Sequence, residues 1–189
     1  MRLSPAPVNK PMEFQEAWST SRQPDALKYV REHLRQKKGV VDAVAIFDID
    51  ETLIHNHPDH NSDAFAEHTA GTTMVKMARD LGARVHAVTA RWSTASARDY
   101  ARRHLDTVGV RPDGEILMTL APDVDDPTPA RFKRDARAHV GGTVVLNAGD
   151  QLTDHLAPGD TLAQPITSDR YYGLVTPVCP ALLSVKFPE

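Results

Sequence analysis

The sequence predicts a three-layer α/β/α fold, a Rossmann-like parallel sheet with helices on both faces. Strand-like and helix-like segments alternate from Val40 onward, which implies strands joined by crossover helices. The strand-like runs, such as Val40–Phe47 and Thr143–Asn147, are apolar enough to read as buried. A length of 189 residues fits one domain with a sizeable core and room for a short extension.

Residues 1–24, which open Pro-rich and polar, read as a poorly structured arm, and 25–189 as a single domain. Ala26, Leu27, Val30 and Leu34 recur at helical spacing, and Gly39 is a plausible stop. The basic residues from Arg31 to Lys38 read as the solvated face of that helix. A buried strand follows over Val40–Phe47 and ends at Asp48. Val75–Leu81 reads as a helix, Arg84–Thr89 as a strand, and Ser93–Leu105 as a helix capped by Ser93. Glu115–Leu120 is another strand. Thr128 caps a helix that starts at Pro129 and stops near Gly141. Thr143–Asn147 is the next strand, and the tail from Tyr171 to Glu189 is too broken by proline to assign.

Composition narrows the class of function. Hydrophobic residues at 41% and charged residues at 25% are ordinary for a soluble globular protein. A net charge of −3 gives no pull toward nucleic acid or an anionic membrane. No stretch reaches the roughly 18 apolar residues of a membrane span. The amino-terminal stretch also lacks the apolar run of a secretory signal, so a cytoplasmic location is expected. The single cysteine, Cys179, suits a reducing compartment and has no catalytic neighbour.

In such folds ligands sit at the carboxyl ends of the strands, and four polar groups fall there. Asp48 and Asp50 follow the Val40–Phe47 run two residues apart; burying such charge is costly unless a metal or partner compensates it. Thr89 ends the Arg84–Thr89 strand, where its hydroxyl can donate to a phosphoryl oxygen and the following helix favours an anion. Lys133 lies about one turn into its helix, close enough to the rim to neutralise a carboxylate and a phosphate. Gly149-Asp150, with Asp154 four residues later, offers the oxygen ligands that Mg²⁺ prefers. Each alone has an ordinary alternative: a turn or helix cap, a strand-terminal threonine, a surface lysine, a loop of solvated acids. Arg91 either contacts substrate or phosphate, or braces the rim through an ion pair. His55, His57 and His60 crowd the segment after Asp50; Pro58 and their irregular spacing favour a mobile flap over a metal site.

Taken together, in order and spacing, the four pieces resemble the four motifs of the haloacid dehalogenase superfamily, from about Val41 to Asp154. Glu51, where glycine is commoner in that superfamily, and the run Asn147-Ala148-Gly149-Asp150-Gln151 are similar to class III (subfamily IIIB) acid phosphatases. The resemblance implies a phosphomonoesterase in which Asp48 is the nucleophile and forms an aspartyl-phosphate. Asp50 would act as general acid and then general base. Mg²⁺ would bind Asp48, the backbone carbonyl of Asp50, and Asp150, with Asp154 supporting a ligand or water. Thr89 and Lys133 would hold the phosphoryl oxygens of a small phosphate monoester. The stretches between the motifs are too short for an inserted cap domain of roughly 50 residues or more. An uncapped or minimally capped core with an open rim is therefore expected, with a neighbouring subunit as one way to close it.

Two other readings compete. Phosphatases acting on the RNA polymerase tail share the first motif, though their fourth looks unlike Gly149-Asp150-Gln151; nucleic-acid-end phosphatases are disfavoured by the net charge. A non-catalytic binding or storage homologue would be expected to lack one or more motifs, and all four are present.

Overall fold

The computed structural model describes residues 14–19, 23–56, 65–119, 129–151, 154, 171–175 and 183–187. Its elements, in chain order, are β1 (Phe14–Ser19), α1 (Gln23–Gln36), β2 (Ala43–Phe47), β3 (Ile54–Asn56), β4 (Phe65–Glu67), α2 (Thr69–Asp80), β5 (Arg84–Trp92), α3 (Ala95–Thr107), β6 (Leu117–Thr119), α4 (Pro129–His139), β7 (Thr143–Gly149), β8 (Tyr171–Val175) and β9 (Leu183–Lys186). The main sheet runs in the order β1-β8-β9-β7-β2-β5-β6. Parallel pairings link β9 to β7, β7 to β2, β2 to β5 and β5 to β6. β8 and β1 extend one edge antiparallel.

β2 lies in the middle of the parallel run, and its side chains show why the sequence reads as continuously apolar. Ala43, Ala45 and Phe47 pack with Ala26, Val30, Met74 and Leu105 from α1, α2 and α3. Val44 and Ile46 point the other way and pack with Ala136, Phe132 and Val140 around α4. Alternate residues of one strand thus feed two cores, which makes three layers. The expected Rossmann-like architecture is the one observed. No helix among the described residues is long and apolar enough to cross a membrane.

Several boundaries differ from the sequence reading. α2 begins at Thr69, six residues before the expected Val75, because Ala70, Gly71 and Thr72 are buried against the preceding loop. The third helix is capped by Thr94, whose side chain accepts a hydrogen bond from the Ala97 N–H at 3.1 Å, and not by Ser93. The Ser93 N–H instead donates to the Thr119 carbonyl at 2.6 Å, which ties it to the sheet. β5 continues three residues past Thr89, to Trp92. The tail left unassigned supplies β8 and β9, and β1 lies inside the stretch read as an arm. Thr128 and Cys179 lie outside the described residues.

Among the described residues, the small β3–β4 hairpin and α2 stand between β2 and β5, and α3, β6 and α4 between β5 and β7. Among the described residues there is no inserted domain.

Candidate active site

Register brings the candidate residues to one rim. Phe47 of β2 aligns with Ala87 of β5 on one side and Ala148 of β7 on the other. Asp48, one residue past Phe47, therefore sits between Thr89, two past Ala87, and Asp150, two past Ala148. The Asp48 N–H donates to the Ala148 carbonyl at 2.9 Å, extending the ladder as far as the candidate nucleophile.

Lys133 decides the character of this rim. It is 2% exposed, so the surface-lysine alternative fails. α4 carries it over the sheet ends, where Nζ lies 3.2 Å from Asp48 Oδ1 and 2.6 Å from Asp154 Oδ1. Burial opposes its charge, but Asp154 and Asp48 overcome that and raise its pKa. Asp154 is fixed on its other oxygen as well, accepting from the Gln151 N–H at 3.0 Å. The Asn147 side chain donates to the Asp154 carbonyl at 2.8 Å. A Cβ on Gly149 would collide with the Asp154 carboxyl, so glycine there is required by close approach. Asp48 itself is 5% exposed, packed against the Lys133 ammonium.

Oxygens of Asp48, Asp150 and Asp154 lie within 4.8 Å of one another, all three residues buried. Burial, then the neighbouring Asp154, push Asp48 well above the usual carboxylate range against the pull of Lys133. Burial and Asp154 likewise raise Asp150 to about 7. In both, burial is the larger cause and the neighbouring carboxylate adds to it. Among the described residues, buried Asp48 Oδ1 accepts no hydrogen bond of good geometry besides the Lys133 ion pair. An all-oxygen cluster of three buried carboxylates beside a single lysine ammonium fits a hard divalent cation.

Asp50 is treated differently. Arg91 grips both its oxygens, Nε donating to Oδ2 at 2.9 Å and Nη2 to Oδ1 at 2.6 Å. Asn56 Nδ2 adds a third bond to Oδ1 at 2.8 Å. Burial acts to raise Asp50, but the Arg91 bonds and charge outweigh it and hold its carboxyl below the usual range. Of the two roles open to Arg91, the structure shows the brace. Thr89 is fully buried, and its Oγ1 accepts from the Arg91 N–H at 3.3 Å.

The loop that carries Asp50 is tight: the N–H groups of Leu53 and Ile54 both donate to the Ile49 carbonyl, at 2.9 and 3.1 Å. Glu51 takes a left-handed backbone (φ 50°) and accepts from His55 Nδ1 at 3.0 Å and the Asn56 N–H at 2.8 Å. His55 stacks on His68, ring centroids 4.2 Å apart. His57 and His60 lie outside the described residues.

Three contributors escaped the sequence reading: Asn56, His104 and Arg137. Arg137 follows Lys133 by four residues on one face of α4. Burial lowers its pKa to about 10 against the opposing pull of Asp154 and Asp48. That spacing is visible in the sequence. For Asn56 and His104 no local signal exists.

No protein-family model matches the chain, and no curated protein matches it by sequence. Among solved structures it is similar to a chain of a Pnkp1/Rnl/Hen1 complex, 20% identical with a TM-score of 0.51, over 61% of this chain and 42% of that one. It is also similar to the class C acid phosphatase from Bacillus anthracis in two structures, one with tungstate bound. Those are 18% identical with a TM-score of 0.50, over 72% of this chain and 66% of the phosphatase. The fold is one it shares with a phosphatase. The chain spans less than two thirds of the length of each of these neighbours, and at such identities the likeness speaks for fold alone.

Proposed function

We propose that the protein is a Mg²⁺-dependent phosphatase that hydrolyses phosphate monoesters through an aspartyl-phosphate on Asp48. The observation that carries this reading is a buried Asp48 held beside buried Lys133, with Asp150 and Asp154 within ligand range and a separately braced carboxylate, Asp50, two residues on.

The residues divide the work. Asp48 Oδ attacks phosphorus and the bond to the leaving oxygen breaks, while Asp50 supplies that oxygen's proton. Water then attacks the phosphoryl group on Asp48, gives its proton to Asp50, and restores both carboxyls with release of phosphate. Lys133 and the Thr89 hydroxyl hold phosphoryl oxygens as charge shifts among them. Asp48, Asp150 and the Asp50 carbonyl would hold Mg²⁺, which supplies charge neutralisation and orientation when bound. Asp154 anchors Lys133 and the loop beneath that site. Arg91 keeps Asp50 ionised while the site is empty; an incoming phosphate dianion raises its proton affinity and readies it for the acid step.

Two measurements test the proposal. Asp48→Asn removes nearly all turnover of phosphate monoesters while circular dichroism and melting remain those of a folded chain; activity within a few-fold of wild type refutes it. Asp150→Ala weakens Mg²⁺ activation, read as a rightward shift of the Mg²⁺ titration. Full activity of the wild type in chelator counts against the metal.

A further inference from the structure

We propose that His104 is a positioning residue for the carboxylate of Asp50, acting through Arg91 and linking it to the β3–β4 hairpin. This rests on the reading of Asp50 as the general acid and base. His104 lies on α3, far from the four motifs in sequence, and is 7% exposed. Its Nδ1 stands 3.4 Å from Arg91 Nη2 and 3.5 Å from Nη1. A guanidinium only donates, so in this contact Nδ1 is the acceptor. Arg91 is thereby held from two sides, by Asp50 and by the imidazole.

The ring itself is held in turn. Phe65 lies against it with centroids 4.0 Å apart, and Tyr100 at 4.4 Å. Phe65 opens β4, and its cross-strand partner in β3 is Asn56, the residue that bonds Asp50 Oδ1. The contacts therefore close on themselves: Asp50 to Asn56, across one rung of the hairpin to Phe65, to His104, to Arg91, and back to Asp50. A carboxylate fixed at both ends of such a ring keeps one orientation, which proton transfer to a leaving oxygen demands. Removing the acceptor at His104 frees the guanidinium to rotate without touching Asp48, Asp150 or Lys133.

The experiment compares two substrates in the full chain. An alkyl phosphate has a poor leaving group and needs the proton; 4-nitrophenyl phosphate leaves well without it. His104→Phe keeps the packing against Phe65 and Tyr100 but has no acceptor. Loss of a hydrogen bond to a charged group lowers kcat on the alkyl phosphate by about tenfold, with 4-nitrophenyl phosphate nearly unaffected. His104→Asn, whose Oδ1 can stand near the place of Nδ1, restores much of the alkyl phosphate rate. Equal loss on both substrates, or no loss on either, overturns the proposal provided that Asp50→Asn shows the difference between them. If Asp50→Asn shows no such difference, the reading of Asp50 falls and this inference with it. A measurement independent of variant folding is ¹⁵N NMR of the wild-type histidines: an unprotonated Nδ1 on His104 supports the proposal, and a protonated one overturns it.

Discussion

Glu51 shows how a single residue is set by its neighbours. Its φ of 50° lies where glycine is comfortable and other residues are strained, at a cost of about 1 kcal/mol. Two hydrogen bonds to its carboxylate, from His55 and the Asn56 backbone, offset that strain and shape the loop behind Asp50. Replacing it by alanine keeps the strained backbone and loses both bonds, whereas glycine loses the bonds and relieves the strain. Glu51→Ala is therefore expected to melt below Glu51→Gly, with a gap of about 1 kcal/mol in denaturant titrations. The reverse order would show that the left-handed backbone at this position carries no strain. The sequence already marks this position as unusual; the reason, a left-handed residue stitched by its own side chain, needs the fold.

The start of α2 joins an element to the site and carries a pH dependence. His68 precedes Thr69, is 5% exposed, and lies between His55 and the edge of the Phe187 ring, 5.0 Å away. Burial, then the neighbouring His55, lower its pKa to about 4. An unfolded chain binds that proton near pH 6.5, so between these values the unfolded state holds more protons and stability falls with acid. The contribution is full above pH 6.5 and is lost as pH drops toward 4, on the order of 3 kcal/mol in all. The difference in melting temperature between pH 7 and pH 5 is expected to shrink in His68→Phe. An unchanged difference would place the acid sensitivity elsewhere. Gly71, one turn on, lets this helix touch the Asp50 loop: a Cβ there would overlap the Thr52 carbonyl. Gly71→Ala is expected to lower both melting temperature and turnover, and a variant matching wild type in both would refute that coupling.

At the scale of the molecule, the expected substrate range of the proposed phosphatase follows from how the segments between its strands are filled. Neither the segment between β2 and β5 nor that between β5 and β7 carries an inserted domain among the described residues. Recognition would then fall on the groups proposed to meet the phosphoryl oxygens, Lys133 and Thr89, and not on the alcohol beyond. Nucleotides, sugar phosphates and a phosphopeptide assayed side by side are expected to turn over with kcat/KM values within about tenfold of one another. Turnover confined to one small metabolite would refute this, and a marked preference for the phosphopeptide or a nucleic-acid end would favour the competing readings.

What the sequence by itself determined is the class of fold and the places where polar groups interrupt apolar runs. Val40–Phe47 followed by Asp48 and Asp50, and Thr143–Asn147 followed by Gly149-Asp150, are local patterns, legible because buried strands are continuous and charge at their ends is costly. Lys133 was legible only in company, since a helical lysine has no local sign of burial. Tertiary structure alone decided what each group touches. It gave Arg91 its bracing role by placing Asp50 within bidentate reach, and it turned Asp154 toward Lys133 and the Gln151 N–H. It joined His104 to Asp50 through partners scattered over α3, β4 and β5. It also made strands of Phe14–Ser19 and Tyr171–Val175, which pair with each other across most of the chain length. Such contacts depend on register and on which helix face meets which strand end, and no single window of sequence contains both partners.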